Sequence, residues 1–319
     1  MQATLTVDMG GTRVKLGLAR GGELRWRETL EARSERGLAQ LLERLAPLVR
    51  AQARDAELAG IGVAFPSLIE PRTGRVLAAY GKYEDAPGID LPAWARREFG
   101  LPLAVDNDAR CALLGEWRYG AARGRHDAVL VTLGTGIGVA TLVDGKLLRG
   151  RHGPAGNFGG HLTVNLHGQR CTCGNLGCAE AEASTAALPR LFAATPGREH
   201  SALTMAPRLD YAAVFAAAAD GDAVALALRA HSLRVWSALT VNLIHAYAPE
   251  LVLLGGGIMR SAAVILPYVR DYVARHAHTP WGNVTVSGTA LGDDAALLGC
   301  EVLSFLQREH GGIGGEAVG

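Results

Sequence analysis

The sequence has no long apolar run, no excess of either charge and almost no lysine. Of its 319 residues 49% are apolar, and the mean hydropathy is +0.13. No uninterrupted apolar stretch reaches the ~18–20 residues that a membrane span needs. Lys and Arg number 32 against 31 Asp and Glu, so the formal net charge is +1. Such a balance sets up no global field to recruit nucleic acid or an acidic membrane. The start, MQATLTVDMGG, lacks the basic and apolar regions of a secretory signal. Five cysteines, three of them within eight residues, do not form an evenly spread, even-numbered disulfide framework. These absences predict a cytoplasmic protein with neither a nucleic-acid nor a membrane partner. Lysine occurs only at Lys15, Lys82 and Lys146, so each can be considered singly.

What is present suits a two-domain α/β protein. A β-prone run over 3–7 ends in Asp8-Met9-Gly10-Gly11-Thr12, and a second run follows at once from Val14 to Ala19. Leu38, Leu41, Leu42, Leu45, Leu48 and Val49 recur with helical spacing. A strand over 103–105 is followed by Asp106-Asn107-Asp108 and a helix over 109–117, the kind of strand-end junction where open α/β sheets bind ligands. The strand–turn–strand pattern then returns as Ala128–Leu133, Gly134-Thr135-Gly136 and Ile137–Val143, a weak internal repeat. Glycines and cysteines fill 150–178. Further on, Gly255-Gly256-Gly257 ends a strand, and a last helix is expected at about 293–307.

Several of these stretches can carry chemistry. The glycines at 10 and 11 let amide hydrogens approach an anion, the Thr12 hydroxyl can donate to a phosphoryl oxygen, and Asp8 is suited to hold magnesium through water. A simple β-turn explains the same residues equally well, but a second turn at 134–136 tips the balance, since phosphate clamps often close from two sides. Neither a Walker loop nor a Rossmann fingerprint is present. Asn107 and Asp108 read either as a helix cap or as a base with a hydroxyl-holding neighbour. His161, Cys171, Cys173 and Cys178 supply one imidazole and three thiolates, a common tetrahedral set for structural Zn2+. Glu180 is either a hydroxyl acceptor fixed by that loop or a solvated helix-start glutamate, with Glu182 favoured as the solvated one of the pair. Gly255, Gly256 and Gly257 read as a tight turn or as room for a nucleoside.

Taken in order, DMGGT, GVAFP at 62–66, NDA at 107–109, GE at 115–116, LGTGIG at 133–138, AG at 155–156, His161, CTCGNLGC at 171–178, Glu180 and GGG at 255–257 resemble the ROK family. These are the sugar kinases and sugar-responsive repressors of the actin-like ATPase superfamily, and the likeness is to the glucokinase-like kinase branch. The resemblance implies two actin-like (ribonuclease H-like) α/β domains around a cleft, with a structural zinc loop. It places the N-terminal domain at 1–120, completed by a C-terminal helix at 293–308. The larger domain falls at 121–292 with the zinc loop at 161–178, and a flexible tail at 309–319. It further implies an ATP- and Mg2+-dependent hexose kinase and a homodimer. Asp108 is then the general base, while Asn107, His161 and Glu180 hold the sugar. Asp8, Gly10, Gly11 and Thr12 clamp the ATP phosphates with Gly134, Thr135 and Gly136, and Gly255–Gly257 lie near the nucleoside.

Two departures bear on the sugar. The family reads AGExGH, whereas this chain has Ala155-Gly156-Asn157-Phe158-Gly159-Gly160-His161, with Asn157 in place of a sugar-binding glutamate and one extra residue before the histidine. Where the family has an asparagine-containing segment, this chain has Gly81-Lys82-Tyr83-Glu84-Asp85. Lys82 is either a surface lysine or a contact to a carboxylate, a phosphate or the altered end of the ring. Glucose stands first as substrate, followed by allose, mannose, fructose, N-acetylglucosamine and N-acetylmannosamine. A non-catalytic sugar-binding regulator is the alternative.

Overall fold

A computed structural model describes residues 2–309, without the side chains of residues 53–55. The expected flexible tail therefore lies outside the described residues from position 310 on. Contacts divide the chain into two units. The first holds the described residues up to Gly124, the segment Leu148–Ala155, and those from Ala290 on; the second holds Arg125–Leu147 and Gly156–Thr289.

The first unit is built on β1 (Ala3–Met9), β2 (Arg13–Arg20), β3 (Glu23–Glu31), β4 (Leu58–Phe65) and β5 (Leu103–Asn107), in sheet order β3-β2-β1-β4-β5. β1 and β2 run antiparallel through a tight turn, which puts Asp8 beside Lys15 in the register. β4 and β5 then add in parallel. Leu5, Val7, Ile61, Val63 and Val105 pack from this sheet into a core with Leu38, Leu41, Leu42, Leu45 and Val49 of α1 (Leu38–Asp55). The helical spacing marked that face, although Leu48 is only half-buried at its edge.

α2 (Leu91–Phe99) precedes β5, and α3 (Asp108–Tyr119) leaves it. α3 crosses the last helix at glycines. A Cβ on Gly115 would stand 2.1 Å from the Ala295 carbonyl oxygen, and one on Gly299 would stand 1.6 Å from that of Cys111. No side chain fits there. Beside that crossing Glu116, fully buried, accepts amide hydrogens from Ala121 (2.8 Å), Ala290 (3.1 Å) and Leu291 (2.8 Å). The glutamate of the GE pair thus ties the return of the chain to α3.

The second unit opens with β6 (Ala128–Leu133), β7 (Ile137–Val143) and the two-residue β8 (Lys146–Leu147). After the cysteine loop come α4 (Ala179–Ala183), α5 (Leu188–Ala194), α6 (Tyr211–Ala219) and the long α7 (Ala223–Tyr247). β9 (Leu251–Gly255), α8 (Ala262–His276) and β10 (Thr285–Gly288) complete it, and α9 (Ala295–Glu309) belongs to the first unit. The sheet order is β10-β9-β6-β7-β8. Each unit therefore holds an antiparallel three-strand meander extended on one side by two parallel strands, so the repeat in the sequence is a repeat of topology. No described helix is long and apolar enough to cross a membrane.

Leu148–Ala155 is sequence-contiguous with the second unit yet packs in the first. A buried cation holds it there. Arg110, on α3, donates to the carbonyl oxygens of Leu148 (3.0 Å), Gly153 (2.6 Å) and Ala155 (2.7 Å). Asp106 pairs with both Arg110 and Arg149, so each buried charge has partners, as charges away from water require.

Candidate active site

In the first unit the turn between β1 and β2 points its carbonyl groups into the protein. Gly10 O accepts from the Tyr83 hydroxyl (2.9 Å), Gly11 O from Ser34 Oγ (2.8 Å) and Thr12 O from Ala32 N (2.9 Å). Among the described residues no acceptor takes the amide hydrogens of Gly11 or Thr12, and the Thr12 side chain is exposed. Such a turn presents N–H groups and a hydroxyl outward, which fits phosphate oxygens. Asp8 lies beneath it, with Lys15 Nζ 3.7 Å from its Oδ2. Burial, more than Lys15 can offset, raises the Asp8 carboxyl to about 6, and the nearby Asp108 charge adds to the rise.

The three polar residues at the β5–α3 junction separate by role. Asp106 is buried with the two arginines. Asn107 is the N-cap of α3, its Oδ1 accepting from Ala109 N (2.9 Å) and Arg110 N (3.4 Å) while its Nδ2 donates to Ser67 O (3.3 Å). Asp108, half-buried, sits in the first turn and accepts from Ala109 N (2.8 Å). Its carboxyl is raised above the ordinary aspartate range by burial, and the Ala109 amide, the Lys82 charge and Asn107 pull it back. Asp8, Asp108, Lys15, Lys82 and the glycine turn are thus gathered within one unit. Nothing local announced Tyr83, which is fully buried and supports that turn from 73 residues away.

The corresponding turn of the second unit is braced differently. Gly134 O accepts from Thr185 N (3.0 Å) and Thr135 O from Ala186 N (3.1 Å). Glu180 Oε2 accepts from Ile137 N (2.9 Å), and a Cβ on Gly136 would stand 2.5 Å from that same oxygen. Glu180 is therefore packed against the turn at 134–136. Glu182 corrects the sequence expectation, because it is buried rather than solvated. It accepts from Gln169 N (2.7 Å) and Asn165 Nδ2 (3.1 Å), and His231 Nε2 lies 3.5 Å from it. Residues 165–169 wrap back onto α4 and exclude water from its carboxylate.

The donor atoms of His161, Cys171, Cys173 and Cys178 all lie within 4.8 Å of one another. His161 Nδ1 is 3.5 Å from Cys171 Sγ, and Cys173 Sγ is 3.7 Å from Cys178 Sγ. Burial and the neighbouring sulfurs push the Cys178 thiol up to about 12. One imidazole and three sulfurs gathered this closely suit a metal, and the backbone is shaped for it. Gly177 has φ 64°, and a Cβ there would overlap the Asn165 carbonyl oxygen at 1.6 Å.

Asn157 donates through Nδ2 to Val139 O (2.7 Å) and opens the 3-10 turn Phe158–His161. The two residues before His161 are glycines for a steric reason. A Cβ on Gly160 would stand 2.0 Å from Ile137 O, and one on Gly159 would stand 2.7 Å from a Val139 methyl, so the turn lies directly on β7. Gly255 is buried at the end of β9, Gly256 and Gly257 are exposed, and a Cβ on Gly256 would stand 2.4 Å from Leu133 O.

With this geometry in place, the comparisons decide the family. The profile of the ROK family matches residues 4–305. The chain belongs to the ROK family. It is 30% identical to a glucokinase of Thermotoga maritima over 96% of this chain and 98% of that protein. A glucokinase of Halalkalibacterium halodurans is 32% identical over 92% of each chain. Among solved structures, a ROK glucokinase from Streptomyces griseus in complex with glucose and AMPPNP aligns with a TM-score of 0.80 at 28% identity, covering 95% of this chain and 99% of that one. The fold is the ROK sugar-kinase fold of the actin-like ATPase superfamily.

Proposed function

We propose that this ROK protein is an ATP-dependent hexose kinase that acts on the primary hydroxyl of a sugar, with glucose first. One observation supports the assignment of the base. Asp108 stands at a strand end, half-buried and raised in pKa, in the same unit as a glycine turn whose carbonyl groups face away. A carboxylate with raised affinity for protons is suited to take one from an alcohol, and phosphoryl transfer needs little beyond such a base and stabilised charge. In the proposed step Asp108 accepts the hydroxyl proton as the sugar oxygen forms a bond to the γ-phosphorus. The bond from that phosphorus to the β–γ bridging oxygen breaks, and ADP leaves with its electron pair.

The N–H groups of Gly11 and Thr12 and the Thr12 hydroxyl hold phosphate oxygens in this reading, joined by the turn Gly134–Gly136. Asp8 would hold Mg2+ through water, and the ion would supply neutralising charge to the phosphates. Asn107, Asn157, His161 and Glu180 are proposed to line the sugar, and Gly255–Gly257 the nucleoside. His161, Cys171, Cys173 and Cys178 would hold Zn2+ as a structural ion, since four protein donors complete a tetrahedron. The two units are proposed as the two domains of the enzyme, the first completed by α9.

The test is ADP release from purified protein across hexoses and N-acetylhexosamines, glucose and allose included. Asp108→Asn should lower kcat at least ~10²-fold while sugar binding persists. Undiminished turnover in that variant would remove the assignment.

A further inference from the structure

Lys15 has partners in the fold: it donates to Asp293 O (3.1 Å) and faces Asp8. Lys82 differs. Its side chain lies across the first glycine turn, such that a Cβ on Gly11 would stand 2.6 Å from Lys82 Cε and 3.2 Å from Nζ. It is half-buried, and among the described residues no hydrogen bond or ion pair engages the ammonium. A partly desolvated cation beside outward N–H groups makes one local charge pattern, and that pattern favours an anion with several oxygens.

The loop is built to keep the lysine there. Tyr83 has φ 52°, a left-handed conformation that costs a non-glycine residue on the order of 1–3 kcal/mol and persists only where its surroundings impose it. They do so here. Tyr83 N donates to Ser34 O (3.1 Å), the Tyr83 hydroxyl donates to Gly10 O (2.9 Å), and the ring packs against Phe65 with centroids 5.6 Å apart. Gly81 N donates to Glu84 Oε1 (2.8 Å), and Asp85 accepts from Leu38 N and Ala39 N at the start of α1. The segment is clamped on both sides of Lys82, partly by the turn that Lys82 overlies. The lysine charge also reaches Asp108, where it favours the ionised form.

We infer that the Lys82 ammonium contacts the γ-phosphoryl group in transit, and is a catalytic residue of the transfer rather than a sugar-specificity contact. It stands over the phosphate turn and within electrostatic reach of the base, which is where charge on the transferring group must be met. The inference rests on the kinase reading above.

Equilibrium binding separates the two ideas. The parent protein should bind Mg2+–AMPPNP more tightly than Mg2+–ADP, and Lys82→Met should reduce that ratio at least ~10-fold while leaving ADP affinity within about threefold. Lys82→Arg should recover part of the ratio, and kcat should fall in Lys82→Met with little change in sugar KM. An unchanged AMPPNP-to-ADP ratio in Lys82→Met overturns the inference, as does a loss confined to sugar KM. If no hexose elicits ADP release from the parent, the kinase reading falls, and the binding ratio still decides what Lys82 contacts. Asp108→Asn, which should lose turnover and keep the ratio, gives the converse control.

Discussion

The two units share one sheet topology and one strand–turn–strand opening, yet they support their turns by different chemistry. In the first, neutral donors hold the turn from within: Tyr83, Ser34 and Ala32 donate to its three carbonyl groups. Lys82 lies across Gly11, and Asp8 beneath the turn interacts with Lys15 and feels the Asp108 charge. In the second, the carboxylate of Glu180 and two amides from residues 185–186 brace the turn, and the adjoining loop gathers one histidine and three cysteines able to hold a metal. The same backbone design thus lies beside charged side chains in one copy and is braced by a carboxylate in the other. A duplicated topology constrains where a turn lies, and leaves open which side chains arrive from elsewhere to equip it.

Disabling the cysteine loop of the second unit should have the largest effect. Cys178→Ser, or chelation of the loop metal, should unfold residues 161–178, a loss of several kcal/mol on the scale of small zinc sites, up to ~10–16 kcal/mol. Limited proteolysis should cut within that loop while fragments of the first unit stay intact, and metal analysis of the parent should return about one zinc per chain. Protection of the loop after chelation would show that hydrogen bonds alone hold it.

The turn of the first unit should show the opposite sign, with a buried carboxyl that costs stability. The Asp8 carboxyl titrates at about 6 in the fold against 3.8 ordinarily, so the folded chain binds the proton more tightly than the unfolded one. Its contribution to stability is therefore present below about pH 3.8 and is lost as pH rises through about 6. Asp8→Asn should raise unfolding free energy at pH 7 by ~1–3 kcal/mol, with much less effect at pH 4, and should abolish turnover. Denaturant titrations of both proteins at the two pH values measure this, and equal differences at both would refute it.

Smaller changes sharpen the contrast. Glu180→Ala frees the Ile137 amide and should cost ~1–3 kcal/mol, together with a fall in kcat, whereas Glu180→Gln keeps an acceptor and should cost less. Tyr83→Phe removes the donor to Gly10 O and should cost ~1 kcal/mol in stability. Its effect on nucleotide binding should resemble, in weaker form, that of Lys82→Met. Thermal melts and nucleotide titrations distinguish these variants, and a Tyr83→Phe protein indistinguishable from the parent would mean that the turn needs no support from that loop.

What the sequence signalled locally is the placement of candidate residues. Gly10 and Gly11 between two alternating runs, Asn107 at a strand–helix junction, and a histidine followed by Cys-x-Cys-x4-Cys each contain their own geometry within a few residues. What could not be read depended on distant pairing. The sequence favours Glu182 as the solvated glutamate, and only the folding of residues 165–169 onto α4 makes it the buried one. Nothing local to α3 shows that Glu116 is buried to hold the amides of Ala290 and Leu291. Leu148–Ala155 follows the second unit in sequence but is drawn to the first by Arg110, whose reach no periodicity reports.

By itself the sequence determined most of the order of strands, turns and helices and the spacing of His161 and the three cysteines, because these follow from side-chain period, backbone freedom and donor chemistry over short stretches. Only the tertiary structure decided that Lys82 overlies Gly11, that Tyr83 holds the turn beneath it, and that Glu180 braces the second turn. Those contacts join residues tens of positions apart, and a buried donor or charge finds its partner only once packing has excluded water from both.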